Sequence, residues 1–420
     1  MRGPVRRLRQ LHPLQWLALA VWVGVLLGVA GRVALSRPGA GSVVPIYLTA
    51  AQRWAHSQDL YAPAPPLDVY RNPPWVAAAF VPLTHLPLTA AGLLWCAAGA
   101  AAFLTGLGVW VRRGLPRPLS PAESGAVFAL AAPLVVSSLN NGQLNLILTG
   151  FLLLGAAAAA RGCGPLAGLW LALAAGVKLF PVAAGLLIAA AFPRRVLPWF
   201  LLALAAVAVL PFALSDTDHV VGAHLSFRDR LRTEDRSFAE VGRAPRDLYL
   251  VLRVWVEPPP REAYRTVQLA AAAAMFGLVV LAAWRVRDPR YVSALGLHLG
   301  CVWMTVLGPA SEAHTYTILG PTAAAVAVLA LGDRNRPGGM FSFALAAAGC
   351  GLLLAPVFRD MFPDGSRFQA LGPHPVGGLL VLAAVLVDAV GRLGCRSGLA
   401  DPPVFAFWRV RTASRGEQLS

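Results

Sequence analysis

Apolar residues run in long blocks, separated by short polar links, over almost the whole chain. The blocks fall near 15–35, 75–111, 124–139, 144–160, 165–192, 196–214, 267–285, 292–308, 314–332, 340–357 and 376–392. A helix needs about 20 apolar residues to cross the hydrocarbon core, so the pattern predicts an all-α polytopic membrane protein. Two blocks depart from a simple span. Residues 75–111 are too long for one crossing, and Pro82 and Pro87 interrupt their first part. Residues 165–192 carry Lys178 and Pro181 at the middle, which predicts two half-helices meeting at a break. The expected total is eleven or twelve crossings.

Composition supports this reading. Of 420 residues, 57% are hydrophobic and 13% charged, against about 25% charged in soluble domains. That excludes a cytosolic enzyme, a disordered chain and a secreted disulfide scaffold. The first apolar block follows MRGPVRRLRQ and is longer than the core of a cleaved signal peptide. It predicts an uncleaved first span with a cytoplasmic N-terminus, and alternation then assigns the other links. The side holding both termini receives 20 of the 36 basic and 6 of the 20 acidic residues, leaving 16 and 14 on the other. This asymmetry follows the positive-inside rule. It also explains the net charge of +16 without nucleic acid, because no aromatic-interleaved basic patch exists. The expected location is the cell membrane, multi-pass, with cytoplasmic N- and C-termini. Residues 1–392 form the membrane domain and 393–420 a tail.

The opposite side collects the polar mass: long loops at 36–74, 215–266 and 357–375, and shorter pieces at Asn140–Asn145, Lys178 and Ser311–Tyr316. Loops this long are usually functional or disordered. Lys178 is the one lysine in the chain. An intramembrane cation is a functional-site candidate, and an ammonium at a half-helix end suits a phosphate oxygen; snorkelling from a broken helix is the plainer alternative. Asn141, Gln143 and Asn145 offer amides to a sugar or phosphate, or form an ordinary Asn-Gly turn. Glu312 and His314, at a span boundary, fit proton transfer or sugar binding; a helix start capped by Ser311 competes. In the first loop Tyr47, Ala50, Ala51 and Trp54 mark a helical face, followed by Asp59-Leu60-Tyr61, Asp68, Tyr70 and Asn72-Pro73-Pro74-Trp75. Aromatic and acidic residues there form either a sugar platform or a structural juxtamembrane helix.

Other chemistries find little purchase. Asp216, Asp218, His219 and His224 bring metal-ligand types together in a solvated loop, and no metal is expected there. The five cysteines, Cys96, Cys163, Cys301, Cys350 and Cys395, show neither a CxxC pair nor metal spacing and read as small apolar residues. No phosphate-cradling glycine loop, Ser-His-Asp order or thiolate nucleophile stands out, and no cofactor is expected.

The first-loop segments Tyr47–Ala51, Asp59–Tyr61 and Asn72–Trp75 precede Asn141-Gly142-Gln143 with Asn145, then Ala167-Gly168 through Val177-Lys178-Leu179-Phe180-Pro181, then Pro309, Ser311 and His314. In this order the chain resembles glycosyltransferase family 87, the polyprenyl-phosphate-mannose-dependent mannosyltransferases, over about residues 15–332. The resemblance implies a GT-C-like bundle and a polyprenyl-phosphate sugar donor. It further implies transfer of a hexose, mannose by family habit, to a lipid or glycan acceptor, with inversion on the extracytoplasmic face. Lys178 would hold the donor phosphate. Tyr47, Asp68, Asn72, Asn141, Gln143 and Asn145 would contact sugar or acceptor.

The family places an acidic residue about four positions before the tyrosine matched by Tyr47. Here stand Ser42, Val43 and Val44, and near His314 the family's Trp and second His give way to Glu312 and Thr315. The base must then come from elsewhere, with Asp59, Glu312 and His314 as the catalytic candidates. Two other readings stay open: a family member that binds lipid-phosphate sugars without transferring them, and an amphiphile transporter or flippase. A transporter should show paired broken helices or intramembrane carboxylates. Asp388 alone lies well inside a span, near its end.

Overall fold

The computed structural model describes residues 11–233, 240–241, 244–308, 311–355 and 365–394. Pro309, Cys395, the N-terminal arm and the tail from 395 onward lie outside the described residues. Within them the chain is helical throughout, apart from an isolated bridge between Ala64 and Leu67.

The first span, α1 (Pro13–Leu35), starts with Pro13 in its first turn and a His12 cap that accepts from the Leu14 amide. The first loop then folds into α2 (Val44–Ala55), whose buried face holds Tyr47, Leu48, Ala50, Ala51 and Trp54. This is the face its periodicity predicts. The block at 75–111 resolves into three pieces: α3 (Pro74–Phe80), a 3₁₀ turn (Val81–His85) and the span α4 (Leu88–Arg113). Pro82 and Pro87 remove amide donors and break the helix there, so this block supplies one span-length helix.

Next come α5 (Pro121–Asn141), α6 (Asn145–Ala160), α7 (Gly164–Val177), α8 (Val182–Ala191) and α9 (Leu197–Val209). The expected break at Lys178 is present. Lys178 itself is extended, at φ −144 and ψ 150, and ends α7. The second long loop carries α10 (Thr217–Thr233) and α11 (Leu248–Trp255). Then follow α12 (Arg261–Arg285), α13 (Pro289–Val302) with a π turn (Trp303–Leu307), and a 3₁₀ segment (Ala313–Leu319) leading into α14 (Gly320–Gly332). The chain closes with α15 (Gly339–Leu353), the short α16 (Gly365–Ala370) and α17 (Pro373–Gly394). The expected tail boundary at 392 thus falls inside α17.

Seven helices have the length and apolarity to cross a membrane, and five more are apolar but only 10–17 residues long. Lengths alone therefore establish fewer crossings than the eleven or twelve read from the pattern. At 1.5 Å per residue, about 15–26 Å of helix falls short of a hydrocarbon core of about 30 Å. The missing length is lost to breaks such as Lys178–Pro181.

Small residues set the close crossings, as in membrane bundles, where lipid gives no hydrophobic drive for association. A Cβ on Gly106 of α4 would lie 2.4 Å from the Gly150 carbonyl of α6, and one on Gly150 equally near that of Ala102. These contacts seat α6 against α4. Large apolar residues face outward, among them Leu27 on α1, Leu202 on α9 and Leu269 on α12. Such surface would be an aggregation liability in water and is native to lipid.

The ends of the bundle differ in chemistry. At one end Arg117 bonds Glu123 (2.6 Å) and reaches Asp333 (3.6 Å), while Arg392 joins Asp333 (3.6 Å) to Asp388 (3.0 Å). Helix α5 runs from this cluster to Asn141, and α14 runs into it from the 3₁₀ segment that holds His314. The polar residues at 137–145 and 311–316 therefore collect at the opposite end.

Candidate active site

The centre is built where α5 stops. Gly142 takes the left-handed conformation, φ +74, and ends α5. A side chain there would also press within 2.9 Å of Ser42 Oγ and Val44 Cγ2. Trp95 of α4 donates to the Gly142 carbonyl at 2.8 Å. Asn141 Nδ2 donates to the Gly41 carbonyl and the Val43 amide donates to the Asn141 carbonyl, both at 2.9 Å. These bonds pin the start of the first loop onto the turn. Gln143 Nε2 donates to Asn141 Oδ1 at 3.1 Å. The amide cluster is thus both an Asn-Gly turn and a polar wall.

Asn145 opens α6 and is fully buried. Its Nδ2 donates to the His314 carbonyl (2.9 Å) and to Ser138 Oγ (3.2 Å). Its Oδ1 accepts from Lys178 Nζ at 2.9 Å. The Lys178 ammonium also lies 5.8 Å from the Phe180 ring centroid. Trp75, closing the Asn72–Trp75 run, donates to the Gly176 carbonyl at 2.7 Å and fixes the end of α7 just before the lysine. The structure therefore brings Lys178, Asn145 and His314 together at the end remote from Asp333.

His314 is held twice by α5. Ser138 Oγ donates to its carbonyl at 2.6 Å, and Ser137 Oγ lies 2.6 Å from its Nδ1 in hydrogen-bond contact. Sequence reasoning missed both serines; the signal was two adjacent hydroxyls in an apolar run just before Asn140. Ser311 donates to the Met304 carbonyl at 3.1 Å and does not cap the 3₁₀ segment. Glu312 stands at the cap position, its amide donating to Thr315 Oγ1 at 3.2 Å.

Tyr47 is 4% exposed and lies against Tyr70, Phe80 and Trp95. Burial pushes its phenol above the ordinary range, the Leu144 amide counteracts this, and the Glu312 charge adds to it. The phenol thus stays protonated, with Glu312 in electrostatic reach. Asn72 is buried in the same wall, its carbonyl accepting from Tyr61 at 2.9 Å.

The two loop aspartates sit apart. Asp59 is exposed and accepts from the Tyr61 amide at 3.1 Å; exposed Asp68 pairs with Arg71 at 2.6 Å. In the second loop His219 packs on Trp54 and His224 stacks on Phe212. Among the described residues no three His, Cys, Asp or Glu converge as metal ligands.

A second histidine, unremarked in the sequence, adjoins the site. His374 at the start of α17 is fully buried, 5.2 Å from the Tyr316 ring, and neither ring nitrogen has a hydrogen-bond partner. His314 and Arg246 lie in electrostatic reach of it.

A helical bundle with lipid-facing apolar surface and one polar end built around a lysine defines a multi-pass membrane protein with a site at one face. The family model for glycosyltransferase family 87 matches residues 70–309, more than half of the chain, and the protein belongs to that family. It is a membrane glycosyltransferase. The match includes Asn72, Asn141, Gln143, Asn145 and Lys178; Tyr47, Asp59, Asp68, Glu312 and His314 lie outside it. A search of curated proteins finds no match. Among solved structures, the chain is similar to ArnT from Cupriavidus metallidurans bound to undecaprenyl phosphate. Identity is 17%, with 89% of this chain and 78% of that one covered and a TM-score of 0.36, a level from which nothing about this chain follows.

Proposed function

We propose that the protein moves a hexose, mannose as the family resemblance implies, from a polyprenyl-phosphate donor to a lipid or glycan acceptor on the extracytoplasmic face, with inversion at the anomeric carbon. One observation carries this reading: the ammonium of Lys178 is held by Asn145, which also holds the His314 backbone. The donor's tail lies in the bilayer and its phosphate at the polar end of the bundle. As the bond between the anomeric carbon and phosphate oxygen breaks, Lys178 neutralises the charge that stays on the phosphate. The acceptor oxygen attacks the opposite face of the sugar and gives up its proton to a base.

Glu312 is the base in this scheme. It lies in electrostatic reach of Tyr47, and Tyr47 sits about one helical turn beyond Val43, the position where the family resemblance places an acid. His314, positioned by Ser137 and Ser138, assists it. Asn145 acts as a positioning residue, because its amide is buried and already bonded. Asn141, Gln143 and Asn72 remain the candidate sugar or acceptor contacts, and Tyr47 a neutral wall residue.

A second reading has one specific support: the absence of a carboxylate at Ser42, Val43 and Val44 fits a family member that binds the donor without transferring sugar. Incubation of the purified protein with labelled polyprenyl-phosphate mannose and a membrane lipid extract separates the two. Labelled lipid or glycan product supports transfer; retained donor without product supports binding alone.

A further inference from the structure

A second cationic feature occupies the same end of the bundle. Where α1 and α4 meet the first loop, a recess of about 340 Å³ opens, lined among others by Arg32, Arg37, Ser42, Thr89, Val33 and Gly92. No carboxylate lines it. Arg32 is anchored by donating to the carbonyls of Ala40 (2.8 Å) and Asn140, while its Nε is buried without a partner. Arg37 is exposed on the rim, and no ion pair or hydrogen bond of its side chain occurs among the described residues.

Beside the recess the surface turns apolar. Leu35 is 90% exposed and Leu27 68%, on the span that ends here. A ligand suited to both features has an anionic head and hydrocarbon tails. The recess also adjoins the turn that carries Asn141 and Gln143, because Ser42 and Val44 line it and abut Gly142 on its other side. Asn140, whose carbonyl Arg32 holds, begins that turn. Arg32 and Lys178 therefore flank one polar turn.

We propose that this recess binds the phosphate head of an anionic membrane lipid, and that this lipid is the sugar acceptor. The second half rests on the transferase reading above. Two guanidinium groups match phosphate oxygens in direction as well as charge, and the lipid's tails follow the exposed face of α1. Donor and acceptor then approach the Asn140–Leu144 turn from opposite sides, each held by its phosphate.

The test is binding to the full-length protein in neutral detergent, followed by native mass spectrometry. The probes are phosphatidic acid, diacylglycerol with the same chains, and inorganic phosphate. The variants are Arg37→Gln and, as a control of equal net charge, Arg285→Gln at the end of α12. One phosphatidic acid binds the native protein and the Arg285→Gln variant, diacylglycerol does not, and Arg37→Gln weakens binding about tenfold, as loss of one charged hydrogen bond should. Equal affinity in Arg37→Gln, or equal weakening in both variants, overturns the site. Displacement of the lipid by inorganic phosphate at equal concentration overturns its assignment to a membrane lipid. Sugar transfer is assayed separately: failure of recess binding with transfer intact sinks the recess alone, and intact binding without transfer sinks the acceptor role.

Discussion

Lys178 Nζ stands 2.9 Å from Asn145 Oδ1, across 33 residues of sequence. The bond joins the break between α7 and α8 to the first residue of α6. Through the other end of the same amide it reaches the His314 carbonyl. Replacing Asn145 by Leu strands a buried ammonium and the His314 carbonyl, at about 1–3 kcal/mol for each unpaired group. Asn145→Asp keeps a partner for the lysine but adds a negative charge where the donor phosphate is proposed to sit. Asn145→Asp is therefore expected to raise KM for the donor by tenfold or more with a smaller fall in kcat, read from initial rates in membranes. An unchanged KM would remove Asn145 from the donor site.

Glu312 and the loop aspartates are separated by their surroundings. Asp59 and Asp68 face solvent and serve local turns or an arginine. Glu312 lies beside Tyr47 and two residues from His314. Glu312→Gln is expected to lower kcat about 10² to 10⁴-fold, the range for loss of a general base. Asp59→Asn and Asp68→Asn should change the rate no more than a few-fold. The same transfer assay decides it, and the reverse order of effects would move the base into the first loop.

His374 makes a stability prediction. Both of its buried nitrogens lack partners, and an unpaired buried polar group costs about 1–3 kcal/mol. His374→Phe keeps a flat ring and removes those nitrogens. Its Tm in detergent, followed by tryptophan fluorescence, should equal or exceed that of the native chain. A marked fall would show that the nitrogens are paired.

Asp247 makes a pH prediction. Loss of hydration raises its carboxyl to about 6, although the Leu250 amide and neighbouring backbone bonds pull the other way. A carboxyl raised on folding binds protons more tightly in the native state, so stability grows as pH falls through about 6 towards the unfolded value of 3.8. It is lost again as pH rises through about 6. The shift corresponds to at most about 3 kcal/mol. Asp247→Asn, which keeps an oxygen for the α11 cap, should be more stable than the native chain at pH 7 and should flatten this part of the profile. Tm scans between pH 4 and 7 check both.

How much of this was legible depended on sequence distance. The buried face of α2 repeats every three to four residues, and Tyr47, Ala50, Ala51 and Trp54 declare it locally. The break after Val177 is written in Lys178 and Pro181. What no local pattern carries is the use of Asn145, because its partners Ser138, Lys178 and His314 lie 7, 33 and 169 residues away. An amide beside an Asn-Gly turn reads as a sugar contact until the packing of α5, α6 and the 3₁₀ segment shows it already bonded. Ser137, Ser138 and His374 were passed over for the same reason: each is unremarkable until another segment folds against it.

The central claim is that the Lys178 ammonium receives the phosphate of the lipid-linked donor. Equilibrium binding of a polyprenyl phosphate to the native protein and to Lys178→Met, in the same detergent and with matched Tm, tests it without requiring turnover. The expected result is a loss of at least tenfold in affinity, the scale of one charge-assisted hydrogen bond. Equal affinity in the two proteins would contradict the account.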